Sequence, residues 1–225
     1  MRARVMALAV ALVAAAPALG AETRFAVDPE AGNNTFTAVF DATIGERITA
    51  VSSAVSCTLV VDEEKLEGKA SCSVPLTSIR VDNDDTKSDH FRQWSTNKKV
   101  DPKKCAFKLE LPHVKVPPPV EAMKPVEFDA DGTFTLCGRP RDDKGTEAIH
   151  ATAIYLPPGS YKDVRTLRIR ARVDGFNRER YKVGPAFTSG WLARVQQLAP
   201  VVATEGTIDV NLFATAPAPK EPEKP

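Results

Sequence analysis

The chain has 225 residues, with 30 basic side chains against 29 acidic ones. That balance gives no general electrostatic reason to bind nucleic acid or a strongly anionic membrane. The length suits one domain, because barrels and sandwiches of this size are commonly undivided.

Residues 1–20 read as a signal peptide. Arg2 and Arg4 give a positive start, and residues 5–16 are an unbroken apolar run. A membrane-spanning helix needs ~20 such residues, so the run is too short to span. The small residues of Ala18-Leu19-Gly20 predict cleavage after Gly20, with Ala21 as the second choice. No other stretch is apolar enough to cross a bilayer, which places the mature chain in the periplasm or outside the cell. All four cysteines, Cys57, Cys72, Cys105 and Cys137, lie in the mature part with no C-x-x-C spacing. An even count in an exported chain reads as two disulfides.

Residues 23–27 predict a short strand ended by Asp28-Pro29, and residues 35–41 another, with Phe36, Ala38 and Phe40 on one face. In residues 48–80, Val51, Val55, Cys57, Leu59 and Val61 alternate with mostly polar neighbours. After the polar run 62–65, Ala70, Cys72, Val74 and Leu76 do the same. A period of two on both sides of a polar turn predicts a hairpin with one buried face. Cys57 and Cys72 are equidistant from the turn centre on that face, within reach of a disulfide.

Residues 85–95 predict a helix, with Asp84 or Asp85 as N-cap and Phe91 and Trp94 at i, i+3. His90 within it reads as a solvated histidine, because no nucleophile elbow or ordered triad accompanies it. Residues 105–116 and 126–137 predict two further strands. Phe107, Leu109 and Leu111 face inward on the first; Phe128, Ala130, Phe134 and Leu136 do so on the second. Pro117-Pro118-Pro119 between them is a stiff connector. Cys105 and Cys137 lie symmetrically about it and are paired here. Cys137 is out of phase with Phe134 and Leu136, a conflict that a bulge near Gly138 or Asp131-Gly132 would remove.

Residues 146–156 form a strand of weak facial contrast. Residues 165–173 alternate cleanly, with Leu167, Ile169, Ala171 and Val173 inward and Arg168, Arg170 and Arg172 outward. The arginine row is read as a solvated outer face rather than an anion site. Residues 189–197 suggest a short helix. Residues 207–213 are the last strand, with Ile208, Val210 and Leu212 on one face, and residues 216–225 a disordered Pro-rich tail.

His90, His113 and His150 fall on separate elements without metal-ligand spacing, so no metal site is expected. The sequence carries no phosphate loop and no hydrolase or calcium motif, so no catalytic residues and no cofactor are assigned. An enzyme is not expected. About eight antiparallel strands in one domain either pack on a second sheet or close into a barrel.

The order of features resembles the YceI-like family, exported polyisoprenoid- and lipid-binding proteins with a lipocalin-like barrel. Phe25-Ala26-Val27-Asp28-Pro29 resembles the family's opening Val-Asp-Pro. Leu59-Val60-Val61-Asp62 and residues 70–79 resemble its long hairpin, and Asp89-His90-Phe91 its acidic, histidine-containing helix. Asp101-Pro102 to Phe107 resembles its Tyr-Pro-x-x-x-Phe strand start, residues 132–138 its strand ending in His-Gly, residues 178–184 its Arg-x-x-(aromatic)-Gly region, and residues 205–213 its final strand. Trp94-Ser95 stands where the family has Phe-Phe, and Cys137-Gly138 where it has His-Gly.

The resemblance implies an all-β fold, an antiparallel lipocalin-like barrel of about eight strands with one or two short helices over residues 21–215. It also implies a lumen that takes a long prenyl or acyl chain. The expected wall is Phe36, Phe40, Val55, Leu59, Val74, Leu76, Phe107, Leu109, Phe134, Leu136, Leu167 and Ile169, with Phe91 and Trp94 as a lid or rim. The partner expected is a hydrophobic lipid, with no nucleic acid, and assembly is left open between monomer and homodimer. The alternative is an extracytoplasmic β-domain whose filled core serves docking to a protein.

Overall fold

The computed structural model describes residues 22–31, 33–43, 45–187 and 202–216. The expected signal peptide and cleavage site, the helix expected at 189–197 and the expected tail beyond Ala216 lie outside the described residues. Among the described residues there are twelve strands: β1 (Glu22–Val27), β2 (Thr35–Ala42), β3 (Arg47–Ser52), β4 (Ser56–Asp62), β5 (Glu67–Pro75), β6 (Arg80–Val81), β7 (Ala106–Lys115), β8 (Pro125–Leu136), β9 (Arg139–Pro140), β10 (Glu147–Leu156), β11 (Arg165–Asn177) and β12 (Val202–Ala216). The last strand therefore takes in Ala216, buried at its end, which the sequence assigned to the tail.

Closure comes from two broken strands. The start of β12 pairs with β2, from Gly206 opposite Phe40 to Asn211 opposite Thr35. Its end pairs with β1, at Ala26–Thr215 and Val27–Ala214. β1 and β2 are thus one wall strand interrupted by residues 28–34. Their neighbours β4 and β3 are a second one, because β4 pairs with β1 and β3 with β2. With β5, β7, β8, β10, β11 and β12 they make eight wall strands. Each is antiparallel to the next, and the last returns to the first. Closure leaves the ring without a free edge.

The interruption has a cause in the sequence. Pro29 has no backbone N–H and cannot continue the ladder. Opposite it, the Phe213 N–H donates to Asn34 Oδ1 at 2.8 Å, and the Phe213 carbonyl accepts from the Asp28 N–H at 2.8 Å. Asn34 thus replaces the missing backbone partner of β12. Between β3 and β4, Ser52 Oγ accepts from the Ala54 N–H at 3.1 Å and turns the chain. The turn shifts the phase. Ala50 and Ser52 are buried before it, Val55 and Cys57 after it, and Val51 is 39% exposed. The expectation that Val51 shares the face of Cys57 is corrected by this break.

The helix α1 (Asp85–Thr96) begins at Asp84, whose side chain accepts from the Lys87 N–H, and ends at Asn97 in the left-handed region. It lies at the end of the barrel where β5 leads into β7. Ser88 ties it there, its Oγ accepting from the Val81 N–H at 2.9 Å and donating to the Asp84 carbonyl at 2.6 Å. A short 3₁₀ turn (Arg178–Tyr181) joins it in closing this end. The Arg139 guanidinium donates to the carbonyls of Ser95 and Tyr181, linking helix and turn. The buried Arg178 donates to the carbonyls of Val183, Val202 and Ala203. Burial lowers the pKa of both guanidiniums, and those carbonyls replace lost water.

Both cysteine pairs are closed as disulfides, Cys57–Cys72 and Cys105–Cys137. Cys57 and Cys72 are direct cross-strand partners. The phase conflict at Cys137 is removed by the end of the strand rather than by a bulge within it. β8 stops at Leu136, and Cys137 and Gly138, with φ of 49° and 76°, form the two-residue turn into β9.

Candidate functional site

The barrel encloses a cavity of about 380 Å³, in the size range of small-ligand sites. It runs from an opening between the β4–β5 turn and the β7–β8 connection down to an aromatic floor under α1. Phe36, Val55, Leu59, Val74, Phe107, Leu109, Phe134, Leu167 and Ile169 of the expected wall line it. Phe25, Val61, Leu111, Phe128, Ile149, Tyr155, Val210 and Leu212 are also in the apolar lining, none of them included in the expected wall.

The hollow exists because one side of the barrel carries small residues. Ala130, Ala151, Ala153 and Ala171 point inward from β8, β10 and β11, and Ala151 and Ala171 are direct cross-strand partners. These alanines also explain why residues 146–156 showed little facial contrast in sequence. Two of the four lumen-lining positions there are alanines, Ala151 and Ala153, while Ile154 lies out of phase with them. A filled core, the alternative expectation, does not match this interior.

Three expected wall residues, and the two expected as lid or rim, are elsewhere. Leu76 follows Pro75, where the β5 ladder ends, and starts a 3₁₀ turn (Leu76–Ser78) packed wholly inside the cap. Leu136, the last residue of β8, and Phe40, near the end of β2, belong to the packed layer at the same end. Phe91 and Trp94 are on α1, which seals the floor, so they are neither lid nor rim of the opening. The floor has two aromatic layers. Phe36 and Phe107 meet at 5.6 Å, and Phe134 meets Phe176 at 5.6 Å. Beneath them Phe91 stacks on Phe107 and Tyr181 on Phe176.

The charged groups lie in the cap, at the margin of the lining or on the outer face. In the cap, the Tyr181 hydroxyl donates to Glu147 Oε1 at 2.8 Å, and Arg141 pairs with Glu147 at 3.2 Å. Burial, then the Glu147 carboxylate, pushes the Tyr181 hydroxyl pKa far up, so it stays a donor. At the opening, Glu63, Glu67 and Lys69 edge the lining. On the outer face, Arg172 pairs with Asp174 and Asp209, and Arg168 lies over Phe213 at 5.6 Å, as a solvated face predicts. His150 pairs with Asp129 on that face too. Among the described residues no cluster of three or more His, Cys, Asp or Glu could hold a metal. What this interior can do chemically is take an apolar chain out of water.

A scan against protein-family models finds none that matches, and no curated protein matches the sequence. Among solved structures the fold is similar to a polyisoprenoid-binding domain from Saccharophagus degradans implicated in plant cell wall breakdown. The TM-score is 0.57 and the identity 15%, over 88% of this chain and 100% of that one. The chain therefore has the closed, eight-stranded antiparallel barrel of that binding domain.

Proposed function

We propose that this chain is an exported, non-enzymatic carrier that holds a polyisoprenoid or long acyl chain in its barrel lumen. The observation that carries the reading is the apolar cavity of about 380 Å³, floored by phenylalanines and open at one end. Each ligand methylene buried there would contribute ~0.8 kcal/mol, so a long chain binds tightly with few polar contacts. Likeness of fold to a polyisoprenoid-binding domain agrees with this. Two disulfides suit an oxidising compartment outside the cytoplasm. No helix among the described residues is long and apolar enough to cross a membrane.

The test is mass spectrometry of the purified mature protein after organic extraction, beside titration with prenyl and acyl probes. A stoichiometric lipid, or saturable probe binding, is the expected result. Ala153→Trp, which places an indole in the hollow, should abolish binding with a Tm near wild type. No extracted lipid and no probe binding by the wild type would overturn the reading.

A further inference from the structure

The opening of the cavity is bordered on one side by an apolar loop. Every residue of 117–125, which ends the β7–β8 connection and starts β8, is exposed. The segment consists of four prolines, Val120, Ala122, Met123 and two charges. Met123 is 58% exposed, and Val120 is 38% exposed although it also lines the cavity. The backbone holds Met123 outward. Its φ is 64°, and its N–H donates to the Tyr155 carbonyl at 2.9 Å. Val120, Ala122 and Met123, exposed together among four prolines, make an apolar patch of the kind that marks a contact surface.

Rim charges decide which surface fits. The two in the loop, Glu121 and Lys124, pair with each other at 2.6 Å. Lys115 pairs with Glu67 at 3.3 Å, Lys65 with Asp62 at 2.6 Å, and Arg165 with Glu63 at 2.5 Å. Glu64 and Lys69, the remaining charges of the β4–β5 edge, offset each other in sign, so the rim is balanced, has little pull on an anionic surface, and suits a zwitterionic one entered by apolar side chains.

We infer that residues 117–125 dock the barrel on a zwitterionic lipid bilayer, with Val120 and Met123 entering the interface so that the opening faces the lipid. The inference rests on the lumen being a chain-holding site. Contact at the rim then lets a chain pass between bilayer and cavity without exposing its length to water.

The experiment compares wild-type mature protein with Met123→Asp and with Val51→Asp, the same kind of change on an exposed valine of β3. Each is co-sedimented with phosphatidylcholine vesicles at low and high salt, with and without phosphatidylglycerol. Each is also titrated with a monomeric fluorescent fatty acid. Wild type and Val51→Asp should bind the vesicles alike, with little response to salt or anionic lipid. Met123→Asp should bind them about tenfold more weakly, the order expected for part-burial of one large apolar side chain. All three should bind the fatty acid equally.

Vesicle binding by Met123→Asp equal to wild type would overturn the inference, as would affinity that rises with anionic lipid and collapses in salt. A wild-type dimer that Met123→Asp dissociates, with no vesicle binding, would place a second copy on the loop instead and also overturn it. Failure of the wild type to bind the fatty acid, with vesicle binding intact, would instead overturn the lumen reading.

Discussion

Phe91 and Phe107 stack with ring centroids 6.1 Å apart and planes 10° from parallel. Phe107 lines the cavity and Phe91 belongs to α1, so the helix supports the cavity floor directly. Phe91→Ala removes that support. Full truncation of a buried phenylalanine costs about 3–5 kcal/mol, and the half-buried Phe91 should cost about 2 kcal/mol or more. For a domain of this size that is roughly 4–8 °C in Tm, measurable by calorimetry. The space gained under the floor should also shift probe preference toward longer chains. An unchanged Tm would show that α1 is held by its serine contacts rather than by this stack.

The wall was legible wherever a strand alternates large apolar with polar residues. Cys57 and Cys72 fixed the register of β4 and β5 because their equal distance from a short turn admits one pairing. Legibility failed where backbone events override alternation. Ser52 turns the chain and reverses the phase of Val51, and Pro75 ends a ladder whose pattern otherwise runs on to Leu76. The hollow itself was not legible. A wall of Phe and Leu reads the same whether the opposite side is filled or not, and the deciding residues, Ala151, Ala153 and Ala171, carry little periodic signal.

Leu76 turns that difference into a measurement. In a hollow lumen Leu76→Trp would displace ligand and spare the fold. Leu76 is instead fully buried in the cap. Leu76→Trp should overpack it and cost about 1–3 kcal/mol or more. A lowered denaturation midpoint at unchanged slope is the expected result. A midpoint equal to wild type would place Leu76 against open space.

The two disulfides should differ in weight. Cys57–Cys72 closes a separation of 15 residues between strands already joined by their ladder. Cys105–Cys137 closes 32 and ties the start of β7 to the turn after β8. By loop-closure entropy a bridge over 15 residues contributes roughly 3 kcal/mol and a longer one somewhat more. Peptide mapping without reduction should recover both pairs. The double variant Cys105→Ser/Cys137→Ser should melt lower than Cys57→Ser/Cys72→Ser. A free thiol at Cys137 in the native protein would break the second pair.

The Lys162 ammonium lies 2.5 Å from Asp28 Oδ2, at the break between β1 and β2. The hydrogen bond from Lys162 is the largest cause holding the Asp28 carboxyl below the usual aspartate range, and the same bond raises Lys162. A carboxyl with a depressed folded pKa binds fewer protons folded than unfolded. Its contribution is present above about pH 4 and is lost as pH falls through the folded value. The raised lysine contributes below about pH 10 and loses its contribution as pH rises through its folded value. Both hold across neutral pH. Tm should therefore fall in acid, and hydrogen exchange in residues 28–34 should quicken there first, because Asp28 and Asn34 complete the broken wall beside β12. Asp28→Asn should lower Tm at neutral pH and flatten the part of the acid slope due to this pair. An acid slope in Asp28→Asn as steep as in the wild type would assign the loss to other carboxylates.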